Sequence, residues 1–233
     1  LIRGKKGTEV KLTIGREGVD PFEISVVRDV INIPTLDTKY DQSTGIFTIR
    51  LYNFTGNSTT LFRNALRDFV ATKSNKLIID LRGNPGGYLE AAVDMASWFL
   101  PAGEVVVRED FGPSQAEEVE RSSGYNIFGP NLKIVILVDG GSASASEIFA
   151  GALSEYGKAT LVGTQTFGKG SVQEYMKLDD KTSLKVTIAR WLTPKGVSIS
   201  DGGLKPQYEV KITPEDAKAG KDPQLEKAIE LLK

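Results

Sequence analysis

Apolar and polar positions first alternate at Val10, Leu12 and Ile14 against Lys11 and Thr13, the period of two that predicts a strand, closed by the turn residues of Gly15 to Gly18. A second alternation, Phe47 to Tyr52, predicts another strand, broken by Gly56-Asn57-Ser58. The period then lengthens. Leu61, Ala65, Leu66, Phe69 and Val70 recur at helical spacing, with Ser58 or Thr59 as the N-cap. Two runs, Leu77 to Leu81 and Ile134 to Val138, are apolar with almost no alternation, as strands covered on both faces are.

Each of these two runs leads into a glycine-rich turn and a helix. Arg82-Gly83-Asn84-Pro85-Gly86-Gly87 precedes a helix expected over Leu89 to Leu100, and Asp139-Gly140-Gly141 precedes one expected over Ser144 to Tyr156. The repeated unit predicts a mixed α/β fold with helices packed on a sheet. Arg108 to Pro130 lacks periodicity and reads as a surface excursion near the active site. Strands follow at Thr160 to Gly163, Ser171 to Lys177 and Leu184 to Trp191. The final helix is announced by Asp222 as N-cap and Pro223 at its first position, with Leu225, Ala228, Ile229 and Leu232 on one stripe.

With 233 residues the chain is long enough to bury a sizeable core, and 29 basic against 30 acidic side chains give a net charge of −1. No global field favours nucleic acid or an anionic membrane, so no nucleic-acid partner is expected. No apolar run reaches the roughly 18 residues of a membrane span, and membrane association is expected only through a segment preceding Leu1. Histidine and cysteine are both absent. That removes a Ser-His-Asp triad, a thiol nucleophile, and zinc sites built on His or Cys, and no metal or cofactor is expected.

A serine hydrolase with a lysine base survives these exclusions. Ser144 stands where a helix begins, and Lys169 lies in Phe167-Gly168-Lys169-Gly170-Ser171. A lysine with a reference pKa near ~10.4 serves as a base only if desolvation disfavours its ammonium form. Gly168 and Gly170 are expected to let backbone pack closely around Lys169 among Val162, Phe167 and Val172. Read alone, Lys169 equally fits a solvated turn, and Ser144 a helix cap. A serine at a helix start also offers unpaired N–H groups to an oxyanion, with Ala145 as one donor and Gly86 or Gly87 as the second.

Three blocks carry a resemblance: Asp80 to Gly87, Gly141 to Glu147, and Phe167 to Gln173. They are similar to the signature blocks of the carboxyl-terminal processing peptidases, or tail-specific proteases, and Lys169 follows Ser144 by 25 positions. The likeness extends to Arg190 to Gly196 and to Asp222-Pro223-Gln224-Leu225. It implies a ClpP/crotonase-like core of β-β-α units with flanking β-rich segments and a C-terminal helix. It also implies Ser144 as nucleophile, Lys169 as base and Gln173 as the neutral amide that orients Lys169, with Ser142 and Ser146 in support.

The implied activity is endopeptidase cleavage near protein C-termini, outside the cytoplasm in periplasm, cell envelope or thylakoid lumen. Protein or peptide substrates are the implied partners, with room for an adaptor or activator, and the oligomeric state is left open. Residues 1–18 resemble the last stretch of a PDZ domain, which divides the chain into that remnant and a peptidase core over residues 19–233. A catalytically silent peptide-binding or scaffold protein on the same fold is the alternative. A crotonase-like acyl-CoA enzyme fits less well, since its chemistry rests on carboxylates.

Overall fold

The computed structural model describes residues 2–31, 34–113 and 115–233, in two compact units that divide between Pro34 and Thr35. In the first unit, β1 (Glu9–Arg16) pairs antiparallel with β2 (Val19–Val27). The strand expected to end at the Gly15 to Gly18 turn is therefore half of a hairpin. The expected boundary between residues 18 and 19 falls at its tip.

The second unit is mixed α/β, built on a six-stranded and a four-stranded sheet. In the larger sheet β3 (Leu36–Asp41) runs antiparallel to β4 (Ile46–Leu51), and β4 then pairs in parallel with β5 (Lys76–Asp80). β8 (Lys133–Val138), β9 (Thr160–Gly163) and the two-residue β12 (Tyr208–Glu209) extend it, all in parallel. The smaller sheet is antiparallel and ordered β10 (Ser171–Lys177), β11 (Ser183–Leu192), β6 (Val105–Asp110), β7 (Glu118–Arg121). The segment read as an unstructured excursion, Arg108 to Pro130, thus supplies half of β6 and all of β7. Their heavy charge masks the alternation that would have marked them.

The unalternating runs are explained by burial on both faces. Leu77, Ile79, Leu81, Ile134, Ile136 and Val138 face one core, which is shared with α1 (Ser58–Ala71), α2 (Leu89–Ser97) and α3 (Ala145–Glu155). Ile78, Val135 and Leu137 face the other, closed by Ala228 and Leu232 of α5 (Pro223–Leu231) and its C-cap. A short α4 (Pro214–Lys218) precedes α5. Neither Ser58 nor Thr59 caps α1: Asn57 holds that position without a side-chain capping bond, its Oδ1 accepting from Thr55 Oγ1 instead, and Ser58 Oγ donates to Thr55 O. The expected cap of α5 is present, Asp222 accepting from Leu225 N at 3.0 Å. Among the described residues no helix is long and apolar enough to cross a membrane.

Candidate active site

Parallel strands end on one side of a sheet, and the loops that leave their carboxyl ends converge there. Here those loops are 81–88 after β5, 139–144 after β8 and 164–170 after β9, and they contain every residue of the predicted site except Ala145 and Gln173.

The first two loops are sewn together by serine, asparagine and aspartate. Ser142 Oγ accepts from Asp139 N at 3.0 Å and donates to Leu81 O at 2.8 Å, while Ser146 Oγ donates to Asn84 O at 3.0 Å. Both serines are fully buried, and both hydroxyls are committed to support, as expected. Asn84, also fully buried, donates Nδ2 to Leu51 O and accepts from Gly86 N, fixing the glycine loop from inside. Asp139 Oδ1 accepts from Gly83 N and Gly141 N at 2.8 and 2.9 Å.

Ser144 differs from its neighbours. It is 6% exposed, it is the N-cap of α3, and its φ of 57° lies in a region that a non-glycine residue occupies only under constraint. Its Oγ faces the Glu147 N–H across a capping box but makes no side-chain cap hydrogen bond, and it has no other partner among the described residues. The Ala145 N–H likewise has no partner among the described residues, as the first donor of a helix has none within it. Gly86, at φ 96°, lies so close that a Cβ there would meet Ser144 Cβ at 2.8 Å and Ala143 O at 2.6 Å, so only glycine fits. Of the two glycines considered as oxyanion donors, Gly86 is withdrawn because its N–H is bonded to Asn84 Oδ1. Gly87 N–H has no partner among the described residues.

The third loop is held by a residue that the sequence reading left unassigned. Glu147, at 0% exposure, accepts four hydrogen bonds. Its Oε1 receives Thr166 Oγ1 at 2.5 Å and Gly168 N at 2.7 Å; its Oε2 receives Ser144 N at 2.8 Å and Lys169 N at 2.9 Å. The signal was present, since Ser144-Ala145-Ser146-Glu147 has the spacing of a capping box. Phe167 N adds a bond to Ser142 O. Gly168, at φ 81°, packs so tightly on the turn at Gly202 and Gly203 that a Cβ would lie 2.9 Å from Gly203 N.

Backbone packing around Lys169 is thus as close as expected, but its side chain is not buried. Lys169 is exposed, Phe167 is 63% exposed, and Lys169 Nζ makes no hydrogen bond or ion pair among the described residues. Gln173, on β10, is exposed as well and donates Nε2 to Thr187 Oγ1 on β11 at 3.4 Å instead of reaching Lys169. The structure therefore unites the backbones of Ser144 and Lys169 while leaving their side chains unbonded to each other.

On the α5 side, Arg82 anchors the start of the glycine loop. It donates to both Asp80 oxygens at 2.9 and 2.8 Å, to Asp222 Oδ1 at 2.8 Å and to Gln224 Oε1 at 3.1 Å. Burial acts to lower the Arg82 pKa, and the two carboxylates more than offset it, holding the guanidinium charged. Burial acts to raise Asp222, and its bonds from Arg82 and Leu225 N outweigh it, keeping the carboxyl below the usual aspartate range. A cleft of about 350 Å³ opens here among Asp37, Arg50, Tyr52, Arg82 and Asp222. Another, about 460 Å³, borders the glycine loop at Tyr88 and is lined by Thr55, Thr59, Glu90 and Asp94.

Residues 45–210 match the model of peptidase family S41. The chain belongs to peptidase family S41. It is 36% identical over 212 residues to the carboxy-terminal processing protease CtpA of Bacillus subtilis, covering 91% of this chain and 45% of that relative. It is 38% identical over 215 residues to the carboxy-terminal-processing protease of Bartonella bacilliformis, covering 90% of this chain and 49% of that protein. The chain spans about half the length of these curated relatives. Its fold superposes on the photosystem II D1 C-terminal processing protease with a TM-score of 0.75 at 26% identity, over 98% of this chain and 61% of that one. The S41 membership and the mixed α/β fold agree with the resemblance drawn from the three motif blocks.

Proposed function

We propose that this S41 chain is a serine endopeptidase that cleaves polypeptides near their C-termini, with Ser144 as nucleophile and Lys169 as general base. The observation that carries the reading is Ser144 itself. It is a strained, buried residue whose hydroxyl alone among the three serines of its run is uncommitted, beside a free helix N-terminal N–H. Ser144 Oγ attacks the scissile carbonyl carbon and gives its proton to Lys169 Nζ. The oxyanion is stabilised by the Ala145 and Gly87 N–H groups. Collapse expels the amine, which takes the proton from Lys169, and leaves an acyl-enzyme. Water, deprotonated by the same lysine, then releases the acid and regenerates Ser144.

For this, Lys169 turns its ammonium from solvent toward Ser144, and substrate filling the site removes the water that keeps it charged. Gln173 is proposed to orient Lys169 in that closed arrangement, exchanging its bond to Thr187. The C-terminal selectivity belongs to the same proposal and is supported by the names of the relatives; an extracytoplasmic place of action and room for an adaptor or activator rest on the resemblance alone.

The exposure of Lys169, unbonded to Ser144, favours one second reading, a catalytically silent peptide-binding protein. Turnover of an unstructured protein by the wild-type chain, Ser144→Ala and Lys169→Ala separates them. The peptidase reading expects a loss of roughly 10⁴-fold or more in each variant. Peptide binding without turnover in the wild type supports the silent reading instead.

A further inference from the structure

The two sheets of the second unit end in four edge strands, β3 and β12 in the larger and β7 and β10 in the smaller; β11 pairs with β6 only from Arg190 to Leu192, so its residues 183–189 are open as well. Exposed edges recruit stray strands, and proteins usually blunt them with shortness or charge. β12 has two residues. β7 has four, three of them charged in Glu118, Glu120 and Arg121, and β3 carries Asp37, Lys39 and Asp41 among its six. β10 is treated otherwise. It is seven residues long, Ser171-Val172-Gln173-Glu174-Tyr175-Met176-Lys177, without proline and with charge only at Glu174 and Lys177. Its first residue lies two positions after Lys169.

The register fixes which backbone groups this edge offers. Leu178 N donates to Thr182 O, so Lys177 and Ser183 form a pair that does not exchange hydrogen bonds. Pair types alternate along an antiparallel ladder, so Tyr175 and Gln173 belong to the same class. The approach of Gln173 Nε2 to Thr187 Oγ1 agrees, since side chains come closest in such pairs. A bulge between Val172 and Gln173 shifts the register, and Trp191 N to Gly170 O sets Ser171 the same way beyond it. The N–H and C=O groups of Ser171, Gln173, Tyr175 and Lys177 therefore point away from β11, and none has a partner among the described residues. Tyr175 and Met176 are 70% and 46% exposed on opposite faces of the strand.

We infer that the substrate polypeptide adds to the free edge of β10 as an extended strand, and that this pairing leads its scissile bond to Ser144. The inference rests on the peptidase reading above and names its substrate class: unfolded chain, recognised through its backbone and therefore tolerant of side-chain sequence, but intolerant of proline at the pairing positions. With three edge strands blunted, the open stretches of the second unit are β10 and residues 183–189 of β11, and of these β10 is the one that begins two positions after Lys169.

Binding of a labelled, unstructured peptide to the Ser144→Ala chain tests the pairing without requiring catalysis. Tyr175→Pro removes an outward N–H and leaves the β11 ladder intact, because that N–H takes no part in it. It is expected to weaken binding roughly three- to tenfold, the worth of one net hydrogen bond, while Tyr175→Ala, which keeps the N–H, loses less. A single N-methyl group walked along the peptide is expected to weaken binding at alternate positions only, which keeps the test valid if Tyr175→Pro does not fold. Equal effects at successive positions, or unchanged binding in Tyr175→Pro, overturn the proposal. So does a concentration-dependent dimer that Tyr175→Pro abolishes, which assigns the edge to a second copy. Failure of the wild-type chain to react with a fluorophosphonate at Ser144 bears on the peptidase reading alone.

Discussion

Ser144 and Lys169 donate their backbone N–H groups to the same oxygen, Glu147 Oε2, at 2.8 and 2.9 Å. One buried carboxylate thereby ties together the backbones of the Ser144 and Lys169 loops, even while their side chains remain unbonded to each other. Glu147→Gln places an amide NH₂ against N–H donors that can find no other acceptor. It is expected to destabilise the fold by about 2 to 4 kcal/mol and to depress kcat more than it raises KM. Denaturant unfolding and steady-state kinetics on one preparation check both parts; an unchanged kcat would sink the positioning role.

Gly86→Ala forces a methyl into Ala143 O and Ser144 Cβ and requires an alanine at φ 96°. Both effects fall on the turn that supports the oxyanion site. Turnover is expected to fall by roughly 10²-fold or more, the size of losing an oxyanion donor, and stability by about 1 to 3 kcal/mol. Gly83→Ala is the comparison: its Cβ meets nothing within 4 Å, so its effect comes only from its φ of 69°.

Asp222 links α5 to the glycine loop through Arg82, and its lowered pKa makes that link sensitive to acid. An unfolded aspartate titrates near ~3.9, above the folded value, so on acidification the unfolded chain takes up the proton first. The stabilisation is present in full above ~3.9 and is lost as pH falls through the folded pKa. Urea unfolding between about pH 2 and pH 6 should show this acid limb in the wild type and a flatter one in Asp222→Asn. Asp222→Ala, which also removes the α5 cap, should cost about 1 to 2 kcal/mol at neutral pH.

Lys169→Arg keeps the positive charge and removes the ability to act as a base, since arginine stays protonated. Turnover should be lost as completely as in Lys169→Ala, while the melting temperature stays within a few degrees of wild type, because the side chain is exposed and unbonded. Retained turnover in the arginine variant would remove Lys169 from the role of base.

Much of the frame was legible because local patterning dictates it. Strands β4, β5, β8, β9, β10 and β11 and helices α1, α3 and α5 fall where periodicity, glycine turns and caps put them, each reporting a burial pattern that any packing must respect. β6 and β7 were missed since charged side chains on a half-exposed sheet erase the alternation. Asp37, Lys39 and Asp41 mask β3 in the same way, and the two-residue β12 is too short to signal itself. Glu147 showed as a capping-box glutamate, but its bonds to Thr166, Gly168 and Lys169 span 19 to 22 positions and cannot be read from spacing.

The sequence by itself determined the chemistry open to this protein: no histidine, no cysteine, and a serine at a helix start 25 positions before a lysine between glycines. Residue types and local turns need no partner elsewhere in the chain to be recognised. Only the tertiary structure decided which serine keeps a free hydroxyl, which glycine keeps a free N–H, and that Lys169 stands in solvent, because each depends on what distant backbone comes within hydrogen-bonding reach.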